Sequence, residues 1–160
     1  MFESYRPEPY SDFTDPAAAE AYRAALAEVE SGLGEHRPLI IGGERVDTGA
    51  RIESVDPSRP ARVIGSVAAA GSAEVDRAID AAWEAFGPWS SLTAEERARH
   101  GMKLAALMRR DKYRLAALQT LEAGKNYAEA EADVCEALDF SDYYARLAIH
   151  LDGGVPVVPY

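Results

Sequence analysis

From Lys125 to Asp152 the chain contains neither glycine nor proline, and a Gly124-Lys125-Asn126 break stands directly before that stretch. Uninterrupted runs of this kind, rich in Ala, Glu and Leu, favour one long helix. The spacing predicts it from Tyr127 to about Ile149, with Gly153-Gly154 closing it. A single element that long dictates the rest, because shorter elements must cover its apolar face. The stretch from Glu122 to Arg146 also carries acids, the one thiol and an aromatic cluster.

Upstream, the punctuation divides the chain into three regions. Residues 1–14 read as an extended arm. It holds Pro7 and Pro9 with Tyr5, Tyr10 and Phe13, so it is either laid over an apolar surface or free. Asp15-Pro16 is a helix start, with Asp as cap and Pro in the first turn. Tyr22, Leu26 and Val29 then mark one face, and Gly32 or Gly34 ends the helix. Pro38 to Val67 reads as a small sheet of hairpins. Leu39-Ile40-Ile41 turns through Gly42-Gly43 into Arg45-Val46-Asp47, and Ile52–Val55 and Val63–Val67 are further strands.

From Ser72 the pattern becomes helical. Ser72 reads as the cap, and Val75, Ile79, Ala82 and Phe86 line one face. Gly87-Pro88 reads as the stop of that helix. Thr93-Ala-Glu-Glu96 is a capping box for the next. Lys112 to Ala123 is another helix, ended by Gly124. Four helices therefore follow the sheet, and Val155 to Pro159 begins something extended.

The charge balance limits the partners. Twenty-seven acids against 17 Lys and Arg leave a net charge of −10, which disfavours nucleic acid because phosphate contacts need basic clusters. The apolar runs are far shorter than a membrane span, and no signal peptide is visible at the start. One cysteine permits no internal disulfide and fits a reducing cytoplasm.

The chemistry-bearing residues form few constellations. Gly42-Gly43 lies between two strands, whereas a dinucleotide loop needs three spaced glycines between a strand and a helix. Cys135 sits inside the long helix, and nearby Asp133 and Glu136 raise a thiol pKa rather than lower it. His36, His100 and His150 share no metal-ligand spacing, so no metal site is expected. The acids Glu129, Glu131, Asp133, Glu136, Asp139 and Asp142 read mostly as a solvated face. A member of the Glu129, Asp133, Glu136 stripe turned toward Tyr143 and Tyr144 is the better ligand contact. On these grounds the chain is a soluble, acidic α+β protein with no identifiable catalytic group.

The order of elements, however, resembles the aldehyde dehydrogenase superfamily. Pro38-Leu-Ile-Ile-Gly-Gly-Glu-Arg-Val-Asp-Thr48 is similar to its entry hairpin, and Val55-Asp-Pro-Ser58 with Val63-Ile-Gly-Ser-Val67 to its next strand pair. Ala81-Ala-Trp-Glu-Ala-Phe86, Trp89 and Thr93-Ala-Glu-Glu-Arg97 resemble its following helix pair, and Leu121-Glu-Ala-Gly-Lys125 its glutamate-x-glycine-lysine element. The arm Tyr5-Arg-Pro-Glu-Pro9, Asn126-Tyr-Ala-Glu-Ala130 and Asp133-Val-Cys-Glu-Ala-Leu-Asp-Phe140 before Tyr143-Tyr-Ala-Arg146 resemble the branch that oxidises L-glutamate γ-semialdehyde in proline degradation.

The resemblance implies an NAD-dependent enzyme in which a cysteine attacks the aldehyde, hydride passes to nicotinamide and a glutamate activates water. It places all of those groups downstream of this chain, so no catalytic, cofactor-binding or metal residue is assigned, and Cys135 does not take the nucleophile's role. It implies one substrate contact, Glu136, near the α-ammonium. It makes residues 15–150 the opening part of the NAD-binding domain, and 151–160 the start of an oligomerisation flap. The expectation is an α+β fragment of an aldehyde-dehydrogenase-like α/β fold, inactive and without NAD by itself. Its apolar helix faces would seek the remaining dehydrogenase portion or a second copy. A non-catalytic helical interaction module and one half of a split enzyme are the other readings.

Overall fold

The computed structural model describes residues 4–154. The extended segment expected from Val155 and the flap it would open lie outside the described residues, apart from positions 151–154.

Helix α1 (Pro16–Ser31) starts where the sequence places it. The Asp15 carboxylate accepts from the Ala17 N–H, Pro16 stands in the first turn, and Gly32 caps the other end. Five short strands follow: β1 (Glu35–Arg37), β2 (Leu39–Ile41), β3 (Glu44–Val46), β4 (Arg51–Asp56) and β5 (Arg59–Ala68). β2 and β3 form the expected antiparallel hairpin. Its two turn glycines, Gly42 and Gly43, have φ of 59° and 84°, a pair of left-handed conformations that side-chain-bearing residues avoid. β4 and β5 form a second hairpin.

β1 departs from the hairpin scheme. It runs parallel to β5, pairing Glu35 to Arg37 with Gly65 to Val67, so the three-stranded order is β1-β5-β4. Three polar residues, Glu-His-Arg, gave no strand signal. The register explains Gly65: a Cβ there would lie 2.9 Å from the Glu35 carbonyl oxygen.

Four helices complete the chain: α2 (Ser72–Ser90), α3 (Ala94–Arg110), α4 (Lys112–Ala123) and α5 (Tyr127–Leu151). Two boundaries differ from expectation. Gly71 rather than Ser72 caps α2, with its N–H donating to the Glu74 carboxylate at 2.8 Å. And α2 continues through Pro88 to Ser90. The proline's ring crowds the Cβ of the residue before it; that residue is Gly87, which has none, and only two residues of helix remain to be disturbed. The Thr93 capping box is present, with the Glu96 carboxylate accepting from the Thr93 N–H at 2.8 Å and Glu96 N–H donating to the Thr93 hydroxyl. A single residue, Asp111, closes α3 and opens α4. Gly124, at φ 70°, ends α4, and the Asn126 side chain accepts from the Ala128 and Glu129 N–H groups to start α5.

The packed centre lies among α1, α4 and α5. Tyr22, Ala116, Ala117, Ala130 and Val134 form it, with Phe13, Leu26, Val29 and Tyr113 against its edge. Alanines on facing helices let backbones approach closely, as they do where α3 crosses α5. A Cβ on Gly101 would lie 2.9 Å from that of Ala145. α2 stands apart: none of its residues is buried.

Candidate functional site

The arm is not free. Phe13 packs edge-on against Tyr22 and Tyr127, and Tyr5 against Tyr143. Between these aromatic contacts a set of polar ones ties the arm to the helices. The Glu8 N–H donates to Asp139 at 2.8 Å. The Glu8 carboxylate pairs with Arg109 at 2.7 Å. The Ser11 N–H and hydroxyl both donate to Glu131, at 3.1 and 2.8 Å to one of its oxygens, and the same hydroxyl meets the Tyr113 hydroxyl at 2.8 Å.

Glu131 is the departure from the expected solvated face. It is 1% exposed, and Lys112 reaches it at 2.7 Å. Helical geometry turns it inward between Ala130 and Val134, which are buried too. Burial alone would raise its pKa, but the hydrogen bonds from Lys112 and Ser11 outweigh burial and hold it below the ordinary carboxylate range. Burial likewise disfavours the Lys112 charge, and Glu131 overrides that to raise the lysine's pKa. Each ion therefore keeps the other charged.

Where the docked arm passes over α5 there is a cleft of about 540 Å³. Tyr5 and Tyr10 of the arm line it together with Asp133, Glu136, Asp139, Phe140, Tyr143 and Tyr144 of α5. The acids there differ in their commitments. Asp133 is bound by Lys125. Asp139 accepts from the Glu8 N–H and from the Tyr5 hydroxyl, and burial together with that carboxylate pushes the Tyr5 pKa up. Glu136 is exposed and has no hydrogen-bond or ion-pair partner among the described residues. The structure thus brings Glu136 beside Tyr143 and Tyr144, as the helical spacing requires, and adds two rings from a segment more than 120 residues away in sequence. A carboxylate among aromatic faces suits an organic cation, which gains from both the charge and the ring quadrupoles.

Cys135 points elsewhere. It is 1% exposed, and its pKa is raised to about 11, by burial first and then by the nearby Glu131 charge. The direction agrees with the sequence reading, but the responsible acid is Glu131 rather than Asp133 or Glu136. A thiol so protonated is not a nucleophile near neutral pH. His36 lies between Ser66 at 3.0 Å and Asp47 at 3.1 Å, and His100 against Trp89. Among the described residues no three His, Cys, Asp or Glu side chains are grouped to hold a metal ion, and no helix is long and apolar enough to cross a membrane.

Glu131, Ser11 and Glu8 carry the site's architecture and were not distinguishable in the sequence. The arm's contacts with the helices span 101 to 131 residues, and no local pattern encodes such pairing.

Comparison with known proteins agrees with this geometry along the whole chain. The 1-pyrroline-5-carboxylate dehydrogenase of Geobacillus thermodenitrificans is 46% identical over 157 residues, covering 98% of this chain and 30% of that protein. The 1-pyrroline-5-carboxylate dehydrogenase 2 of Bacillus subtilis is 44% identical over the same shares. Among solved structures, the 1-pyrroline-5-carboxylate dehydrogenase from Thermus with bound NAD superposes with a TM-score of 0.95 at 48% identity, covering 100% of this chain and 31% of that one. The chain thus spans about 30% of the length of the curated relatives it matches. The aldehyde dehydrogenase family profile fits residues 45–159, from the second strand of the first hairpin onward. The hairpins, the α2–α3 pair and the Gly124 turn are those of that family, and the chain belongs to it.

Proposed function

We propose that this chain supplies one part of an NAD-dependent dehydrogenase that oxidises L-glutamate γ-semialdehyde to L-glutamate in proline degradation. The relatives named above support this reading across essentially the whole chain. The observation that carries it within the molecule is Glu136, an uncommitted carboxylate in an aromatic cleft.

In this reading Glu136 receives the substrate's α-ammonium. The amino group is cationic at neutral pH, and the facing rings favour it further. Binding there fixes one end of the substrate and orients the aldehyde at the other. NAD, bound in the complete enzyme, would supply the hydride acceptor. The described residues offer it no glycine-rich turn between a strand and a helix, since Gly42-Gly43 joins β2 to β3. The cofactor site and the nucleophile are therefore assigned to the rest of such an enzyme, and the 160 residues by themselves are inactive. The lone, free, buried Cys135 suits a reducing compartment, the cytoplasm.

The bare side of α2 supports association. Val75, Ile79, Trp83 and Phe86 are all exposed there, spaced as one helical stripe. Its partner in this reading is the remaining dehydrogenase portion, on the same polypeptide or on a second one.

NADH formation from the semialdehyde tests the function. The polypeptide that carries this chain with a complete dehydrogenase should produce it, and the 160-residue chain should not. Glu136→Ala in the complete enzyme should raise KM for the semialdehyde about tenfold, the loss of roughly 1.4 kcal/mol of ammonium binding. KM for 5-oxopentanoate, which differs only in lacking the amino group, should hardly move. Equal changes for the two aldehydes would remove Glu136 from ammonium recognition.

A further inference from the structure

The arm does more than cover apolar surface. Residues 8, 9 and 11 are each tied to the helices by polar contacts. Glu8 is held by Arg109 and Asp139. The Pro9 carbonyl oxygen accepts from Lys112 at 3.4 Å. Ser11 is held by Glu131 and Tyr113. Tyr10 lies between two of these anchored residues, is 70% exposed and still borders the cleft. With most of its ring in water, its place follows from the anchored backbone on either side.

The anchor is an uneconomical choice for stability alone. Removing a carboxylate and an ammonium from water is costly, and an apolar pair of similar volume often does as well. What ions and directed hydrogen bonds provide instead is a single geometry. Glu131 takes two donors from Ser11 and one from Lys112, so a one-residue slip of the arm would leave a buried carboxylate short of donors. The register of the arm is thereby fixed, and with it the places of Tyr5 and Tyr10.

We infer that the arm is a specificity strap: Tyr5 and Tyr10 form the outer wall of the Glu136 cleft, and Glu131 is the positioning residue that holds the strap in register through Ser11 and Lys112. The inference rests on the reading of Glu136 as the ammonium contact. Under it, substrates bearing an ammonium group lie between the strap and α5, and loss of the strap weakens their binding without altering the reacting centre.

Two variants test it in the complete dehydrogenase polypeptide that carries this chain. Tyr10→Ala removes an exposed ring and leaves the packed centre alone. It should raise KM for the semialdehyde several-fold, up to about tenfold if the ring contributes a desolvated cation–π contact. Its kcat should stay within about twofold of the unaltered enzyme, on the view that uniform binding is what is lost, and KM for 5-oxopentanoate should be unchanged. Glu131→Gln keeps the side-chain shape but removes the charge. It should give the same KM split, with faster hydrogen exchange confined to residues 4–14. A Tyr10→Ala enzyme with unaltered KM, or with KM raised equally for both aldehydes, overturns the strap's role. So does a Glu131→Gln enzyme whose arm exchanges as slowly as before. If these arm variants fail while Glu136→Ala shows its KM split, only the strap falls. If the unaltered polypeptide does not oxidise the semialdehyde, the proposed function falls and the strap's role in it as well.

Discussion

Helices α2 and α5 are both amphipathic, yet they end in opposite situations. α5 buries Ala130, Glu131, Val134, Cys135 and Leu138 beneath its neighbours. α2 buries nothing and leaves Val75, Ile79, Trp83 and Phe86 in contact with water. The difference lies in what surrounds them. α5 is flanked by α3, by α4 and by the docked arm, whereas α2 touches little besides the β2–β3 hairpin. Periodicity in a sequence thus states that a face needs cover and is silent about what provides it. In α5 the cover is internal; in α2 the described residues leave the face bare, and the remaining dehydrogenase portion is its proposed cover.

The sharpest way to break this contrast is to truncate the same kind of side chain in each helix. Leu138 is fully buried, so Leu138→Ala should cost about 2–5 kcal/mol in chemical unfolding of the 160-residue chain, from lost transfer energy and the cavity left behind. A cost below about 1 kcal/mol would mean that α5 is not the centre of the packing.

An intermediate effect is expected from pH, and it should be local to the arm. Glu131 faces Ser11 and Lys112 and acts on Cys135 and Tyr22, while Glu8 stands near Lys112 and is paired with Arg109. Its folded pKa is lowered, so its contribution is complete above the ordinary glutamate value of about 4.3. That contribution is lost as pH falls through the folded value beneath it. Lys112 has a raised pKa, so its contribution is complete below about 10.4 and is lost only as pH rises beyond its folded value. Protection of residues 4–14 in hydrogen exchange, corrected for intrinsic rates, should therefore be level across neutral pH and fall off in acid. An arm whose protection follows the same acid profile in Glu131→Gln as in the unaltered chain would show that the charge pair does not hold it.

The smallest effect is expected in α2. Ile79 is 51% exposed, so Ile79→Ala should shift the unfolding midpoint of the 160-residue chain by the equivalent of only about 0.5 kcal/mol. The same substitution should weaken association with the dehydrogenase portion proposed to cover α2, read by sedimentation of the mixed components. A large destabilisation of the chain alone would mean that the stripe is already covered.

Much of the fold was legible because it is locally encoded. Asp15-Pro16, Thr93 with Glu96 and the glycines at 42, 43 and 124 act on their own neighbours within four residues, and the structure uses each of them as the sequence implies. Pro88 misled because its effect depends on the residue before it and on how little helix follows. β1 was invisible because parallel pairing draws its stability from a strand 30 residues on and from no feature of Glu-His-Arg itself. The candidate site divides in the same way. Glu136 with Tyr143 and Tyr144 could be placed by helical spacing, since all three lie on one element. Glu131 could not be separated from its acidic neighbours, because only the arrival of Ser11 and Lys112 makes its burial tolerable.

Asp111 is the only residue between α3 and α4, serving as the end of one and the start of the other. With no slack at that joint, the two rods are geared together. One inserted residue, if wound into α4, would turn everything after it by about 100° about the axis of that helix. It would carry Lys112 out from under the arm and Ala116 and Ala117 away from Tyr22. Length variation should be tolerated at the tip of a hairpin and selected against at this elbow, whatever the inserted amino acid.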